Sequence, residues 1–305
     1  MVNKQLRKLV DHFLDLLNKE RGLSSNTIEA YRGDLTQYTD YLISKKQCSV
    51  WQDVTEVIVL NYMYFLKDSG CAPSTIARKA AAIRGLHRYL LISKQTTADP
   101  AYSLELPKIQ RNPLPPLLTT NQVKQLLDAP DLRTKIGKRD RALLEVLYAT
   151  GMRVSECIRL DAAHVNLDLE FIRCLGKKGN ERILPLDSLA ISALRMYIES
   201  LIQDGEKIDL NQPLFMNRMN KRLTRQGIWK ILKHYADQAD ISVSISPETL
   251  RKSLTAHLLQ NGAPLEFIDE LMGRQHTSAT MQYPRPNRLP LKKVYAMYHP
   301  RVKLK

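Results

Sequence analysis

Four prolines, Pro107, Pro113, Pro115 and Pro116, constrain this chain more than any other feature. A proline has no amide donor, and its ring clashes with the carbonyl four residues back. No helix interior or central strand can therefore run through this stretch. An extended connector is expected over residues 107–117, between units at residues 1–106 and 118–305. A chain of 305 residues has room for two buried cores of this kind.

The first unit reads as all-helical. Leu6, Leu9, Val10, Phe13, Leu14, Leu16 and Leu17 recur at helical spacing. Ser24, Ser25, Asn26 and Thr27 offer capping oxygens ahead of a second helix carrying Tyr31, Leu35, Tyr38 and Tyr41. A third helix is predicted over residues 54–68, and Pro73-Ser74-Thr75 opens a fourth. In that fourth helix Arg84 aligns with His87 and Arg88, and Lys79 falls near Ala82 and Ile83. A basic face is expected there, with Lys79, Arg84 and Arg88 as DNA contacts; the plainer reading is a solvated stripe.

The second unit is helix-rich, with helices predicted near residues 119–127, 138–148, 188–202, 224–238, 247–261, 265–271 and 289–298. Residues 165–186 break this pattern. Phe171-Ile172-Arg173-Cys174 and Ile183-Leu184-Pro185-Leu186 flank Gly176-Lys177-Lys178-Gly179-Asn180, which predicts an antiparallel hairpin with a basic turn. The fold class is therefore mainly α with one small sheet. Trp51 and Trp229 read as packing aromatics.

Charge narrows the function classes. Lys and Arg total 46 against 31 Asp and Glu, a formal +15. Such an excess favours a polyanion, because each neutralised phosphate releases counterions. A ribosome-associated or merely basic protein is the bland alternative. Lys108 and Arg111 on the connector suit a strap over a phosphate backbone. Cys48, Cys71, Cys157 and Cys174 form no CxxC pair, and the seven histidines form no HExxH set, so reduced thiols and no metal are expected. No apolar run approaches the ~20 residues of a membrane span. The first residues lead directly into an amphipathic pattern, and the expected compartment is the cytoplasm.

Arg153 sits in Ala149-Thr150-Gly151-Met152-Arg153-Val154-Ser155-Glu156, Arg251 in Ser246-Pro247-Glu248-Thr249-Leu250-Arg251-Lys252, and Tyr283 in Thr280-Met281-Gln282-Tyr283. Cutting a phosphodiester without metal requires neutralising an anionic transition state, deprotonating a nucleophile and protonating a leaving oxygen. Paired guanidinium forks suit the first task, and they stay charged. A phenol near such cations ionises more readily. A lysine can act as general acid. A covalent phosphotyrosine conserves the bond energy, so no cofactor is needed.

These segments resemble, in order and spacing, the boxes of the tyrosine recombinase (phage integrase) family. Leu271-Met272-Gly273-Arg274 is similar to the third box, and Lys292 to Arg301 resembles the tail of the bacterial Xer recombinases. The resemblance covers nearly the whole chain. It implies an N-terminal four-helix core-binding (SAM-like) domain and a helical catalytic domain. Further implications are duplex DNA as partner, a tetramer of recombinase subunits (self or paralogue) on paired sites, and a last helix that docks on a neighbouring subunit. It assigns Arg153 and Arg251 to the phosphate and Tyr283 to attack. The general acid is Lys177, or Lys178 if the Gly-Lys-Lys-Gly turn slips by one.

Three positions depart from the family pattern. Glu248 stands where His is usual, Arg274 where His or Trp is usual, and Lys252 where His is common. Arg274 can still donate to a phosphoryl oxygen, and Lys252 is expected at the DNA. A carboxylate ~4 Å from a phosphate oxygen costs several kcal/mol at an effective dielectric near 20. Glu248 is relieved of that cost if it pairs with Arg274, Lys252 or Arg251, and it is also able to accept the tyrosine proton. His276 is a substitute donor. Two functions follow: an active recombinase cutting through a 3′-phosphotyrosyl bond, or a DNA-binding relative that lost turnover and acts as an accessory.

Overall fold

The computed structural model describes residues 2–21, 23–46, 48–105, 117–176, 181–203, 209–273 and 291–302. Lys108, Arg111, Lys177, Lys178, Arg274, His276 and Tyr283 lie outside the described residues. The chain divides into two compact units, Met1–Asn112 and Pro113–Lys305.

The first unit holds four helices, α1 (Val2–Arg21), α2 (Ser25–Lys46), α3 (Glu56–Asp68) and α4 (Pro73–Ile92). Their starts follow from local chemistry. The Ser24 hydroxyl accepts the Thr27 N–H at 3.2 Å, the Thr55 hydroxyl accepts the Ile58 N–H, and Pro73 occupies the first turn of α4. Leu14, Leu35, Leu42, Leu66, Ile83 and Leu86 are fully buried between them. An aromatic cluster completes this core, with Tyr62 ring centroids 5.0 Å from Tyr38 and 4.9 Å from Tyr41. Trp51 is buried beside it, 6.3 Å from Tyr38.

The basic face expected on α4 is smaller than its sequence suggests. Arg84 and Arg88 are exposed, but Lys79 and His87 are buried. Both fall on the stripe formed by Ile76, Ile83 and Leu90, so neither side chain can turn to solvent. Lys79 instead lies 3.0 Å from the buried Asp34 carboxylate and donates to Gln37 Oε1 at 2.6 Å. Asp34 also receives Arg78. A buried ammonium needs such partners, because its desolvation is otherwise uncompensated. His87 meets the Tyr38 hydroxyl at 3.0 Å.

The second unit opens on α5 (Thr120–Asp128), where Thr119 and Gln122 exchange side-chain-to-backbone hydrogen bonds at 3.2 and 2.9 Å. α6 (Lys135–Thr150) is the central helix, buried along most of its last three turns. It starts three residues earlier than its apolar pattern suggests, because Thr134 caps it through the Gly137 N–H. The five-residue α7 (Val154–Ile158) follows. Strands β1 (Val165–Asn166), β2 (Phe171–Leu175) and β3 (Glu181–Pro185) form one antiparallel sheet in the order 1-2-3, with Cys174 opposite Arg182 and Ile172 opposite Leu184. Then come α8 (Ser188–Gln203), α9 (Arg225–Gln238), α10 (Pro247–Gln260), α11 (Leu265–Met272) and α12 (Leu291–Tyr298).

α12 packs against the second unit of this chain. Val294 and Tyr295 are buried, the Tyr295 hydroxyl donates to Ala149 O at 3.1 Å, and its ring stacks on His299 at 4.4 Å. Met297 is exposed. No helix among the described residues is long and apolar enough to cross a membrane.

Burial lowers His87 to a pKa of about 4. Below the ordinary histidine value near 6.5, the unfolded chain takes up a proton that the folded chain refuses. Stability contributed by neutral His87 is therefore lost as pH falls from about 6.5 toward 4, by at most ~1.4 kcal/mol per pH unit. The drop in Tm between pH 7 and 4.5 is expected to be smaller in His87→Gln than in the unaltered chain.

Candidate active site

The site is assembled at three helix ends. α6 stops at Gly151, whose φ of +57° is a left-handed conformation that a side chain resists. The chain then turns through buried Met152 to Arg153, which caps α7 in extended conformation. Glu156, one turn into α7, reaches back to accept the Arg153 N–H at 2.7 Å and its Nη1 at 3.2 Å. This leaves the Arg153 side chain 42% exposed, able to present its remaining donors outward.

Arg251 is placed from the opposite side. The Ser246 hydroxyl accepts the Thr249 N–H at 3.1 Å and starts α10, with Pro247 in its first turn. One turn on, Arg251 is buried, donating through Nη1 to Gly151 O and through Nη2 to Met272 O at 2.6 Å. Burial lowers its pKa to about 10, helped by the charge of Arg153 and opposed by Glu156 and Glu248. It remains a cation at neutral pH.

α11 supplies the third end. It closes on Gly273, also left-handed at φ +57°. Arg153 Nη2 donates to Gly273 O at 3.3 Å, Arg251 to Met272 O, and Arg182 Nε to Leu271 O at 3.3 Å. Three consecutive carbonyls at the negative end of one helix thus each receive a guanidinium from a different element. Arg182, on β3, also grips Glu156 with both Nη atoms, at 3.0 and 2.8 Å. Burial pushes the Glu156 carboxyl up, but the Arg182 hydrogen bonds, the Arg153 N–H and both positive charges outweigh it and hold it down to about 2.

Arg153, Arg251 and Glu248 share the rim of one cleft of about 430 Å³, with Arg225, Trp229 and Ser155 on its walls. The structure therefore brings together three of the residues singled out in the sequence. Glu248 is exposed in the first turn of α10, where a carboxylate suits the helix dipole, and it forms no ion pair with Arg251, Lys252 or any other described residue. Lys252 is exposed one turn further along the helix. Trp229 is not the packing aromatic it resembles in the sequence: it is 43% exposed, with Lys233 Nζ 5.5 Å from its ring centroid. His257 is a core histidine, joined to the Tyr148 hydroxyl at 2.8 Å and to Leu118 O at 2.9 Å. Arg84 and Arg88 belong to the other unit and form no ion pair with a described residue.

Arg182 is the residue that motif reading passes over. Its signal is its phase. It lies two residues from buried Leu184, on the same face, so a charge lies on the inward face of a strand and requires a partner there.

The chain, whose cleft gathers the guanidinium groups of Arg153, Arg225 and Arg251 on a mainly helical scaffold with one small sheet, is similar to proteins known by sequence. Residues 116–288 match the model described as the phage integrase family, and residues 10–94 match that of the phage integrase N-terminal SAM-like domain. The chain belongs to the phage integrase family and is a tyrosine-type site-specific DNA recombinase. Among its relatives is "Tyrosine recombinase XerD" of Oceanobacillus iheyensis, 39% identical over 300 residues that cover 97% of this chain and 99% of the relative. Similar folds include the XerH site-specific recombinase in a post-cleavage complex with palindromic difH substrate, at 22% identity and TM-score 0.68, covering 98% of this chain and 82% of that one. Another is a lambda integrase tetramer bound to a Holliday junction, at 14% identity and TM-score 0.67, covering 94% and 80%.

Gly151 carries two demands at once. A Cβ there would stand 2.7 Å from Met272 Cε and 2.9 Å from Leu254 Cδ2, on a backbone already at φ +57°. Gly151→Ala is expected to cost about 1–3 kcal/mol, read as a lowered unfolding midpoint in urea.

Proposed function

We propose that this chain cuts and rejoins duplex DNA with Arg153 and Arg251 on the non-bridging oxygens of the scissile phosphate. The Tyr283 phenol gives its proton to solvent and its oxygen attacks phosphorus, gaining the bond that the 5′ oxygen loses. A 3′-phosphotyrosyl bond forms, and the freed 5′ hydroxyl takes its proton from Lys177, or from Lys178 beside it. Arg274 adds a third guanidinium and His276 a reserve donor. Attack of a 5′ hydroxyl on the phosphotyrosine reverses the step and restores tyrosine, with no cofactor consumed.

The observation that carries this reading is the convergence of Arg153 and Arg251 on one cleft while both hold the end of α11. Tyr283 follows ten residues after Gly273. The exposed, charged surface of Arg84 and Arg88 supports duplex binding by the first unit, with Lys252, Lys108 and Arg111 as further backbone contacts. The tetrameric integrase of similar fold supports a tetramer on paired sites, formed by copies of this chain or with a paralogue. The arrangement needs neither metal nor nucleotide.

One observation favours a second reading, in which the chain binds DNA without turnover. The Glu248 carboxylate lines the cleft, where a phosphate would sit, and it forms no ion pair with a described residue. A nicked duplex carrying the cognate site, selected by the chain from a randomised pool, separates the two. The unaltered protein is expected to form a covalent protein–DNA band on denaturing gels, and Tyr283→Phe is expected to abolish it while binding persists. Retained binding with no band from the unaltered chain would establish the second reading. Glu248→His removes the opposing charge and supplies a donor, so the band is expected to form faster. A slower rate would instead assign Glu248 the tyrosine proton.

A further inference from the structure

We infer that Arg182 is a positioning residue for strand cleavage, acting through Glu156 on Arg153 and through α11 on the segment that leads to Tyr283. The inference rests on the roles proposed above for Arg153 and Tyr283.

Glu156 has two carboxylate oxygens and two arginine suitors. Arg182 occupies both oxygens, at 3.0 and 2.8 Å, and is only 16% exposed. The Arg153 guanidinium takes the weaker share, a 3.2 Å contact to Oε1 beside the 2.7 Å hydrogen bond from its own N–H to Oε2, and stays 42% exposed. Without Arg182, a buried carboxylate would lose its main counterion, and the nearest guanidinium able to replace it is that of Arg153. A bidentate pair is the preferred geometry of such forks. Arg153 would then be drawn from the cleft into the protein, and the phosphate would lose a cation.

Arg182 has a second hold. Its Nε donates to Leu271 O, and its guanidinium lies flat against Gly273, where a Cβ would come within 2.8 Å of Nη1 and 2.9 Å of Cζ. The residue that ends α11 is therefore glycine for space as well as for dihedral angle. Because Arg182 sits on β3, four residues after Lys178 in the sequence, it joins the strand that follows the proposed general acid to the helix that precedes the proposed nucleophile. One side chain thus ties three parts of the reaction to a common frame. Arginine is needed for this. Lysine carries the charge but lacks the fork that reaches Glu156 and Leu271 O together.

The test compares the unaltered chain, Arg182→Met, Arg182→Lys and the double variant Arg182→Met/Glu156→Gln on two nicked duplexes carrying the selected cognate site. One has an ordinary scissile phosphodiester; the other has a methylphosphonate there, whose methyl group removes the negative charge that Arg153 must neutralise. Duplex affinity and Tm are measured alongside the rate of adduct formation. Arg182→Met is expected to bind normally but form adduct on the order of 100-fold more slowly on the phosphodiester. That deficit should shrink to about tenfold or less on the methylphosphonate, since the charge is gone. The double variant should recover most of the rate, because no carboxylate then competes for Arg153. Arg182→Lys, which keeps a cation against Glu156 and preserves the fold, should fall between. Equal deficits on both duplexes would show a purely structural role and overturn the inference, as would wild-type rates for both single variants. If the unaltered chain forms adduct on neither duplex, the reading of the cleft itself fails and takes the inference with it.

Discussion

The last carbonyls of α11 are the point on which the second unit's chemistry depends. A helix C-terminus carries roughly half a negative charge, spread over oxygens that no amide of the helix can reach. Here Leu271, Met272 and Gly273 each offer such an oxygen to an arginine from β3, α10 or the start of α7. For Arg251 the arrangement is a requirement. A buried guanidinium with no acceptors would cost several kcal/mol, and two main-chain oxygens meet that need without cancelling its charge. A carboxylate in their place would neutralise the group. Carbonyls keep it a cation.

The same logic explains why one acid suffices. Three guanidinium groups surround Glu156 and the end of α11, so the cluster retains net positive charge after its internal pairing. The first unit meets a buried charge in a related way. One carboxylate, Asp34, faces both Arg78 and Lys79, and the neutral Gln37 Oε1 accepts a further hydrogen bond from Lys79.

Much of this was legible in the residues. The caps at Thr119, Thr224 and Ser246 are local signals, and local chemistry decides them. Arg153 and Arg251 were legible because each lies in a run of eight or seven residues with a recognisable pattern. Lys79 and His87 were misjudged because the apolar stripe of α4 is wider than a reading by charge assumes, and it takes in both positions. α7, at five residues, is too short to show a period. Arg182 was hidden for a different reason: its partners are 26 and 89 residues away, and only folding brings them together.

Main-chain oxygens, unlike side chains, come with every residue. Because the guanidinium groups are received by the backbone of α11, the identities of residues 271 and 272 are not set by those contacts. They answer only to packing in the hydrophobic core, where Leu271 and Met272 are fully buried. Evolution can exchange apolar side chains along this helix and leave its polar end intact. The single letter it must preserve there is the glycine at 273, which has no side chain to change.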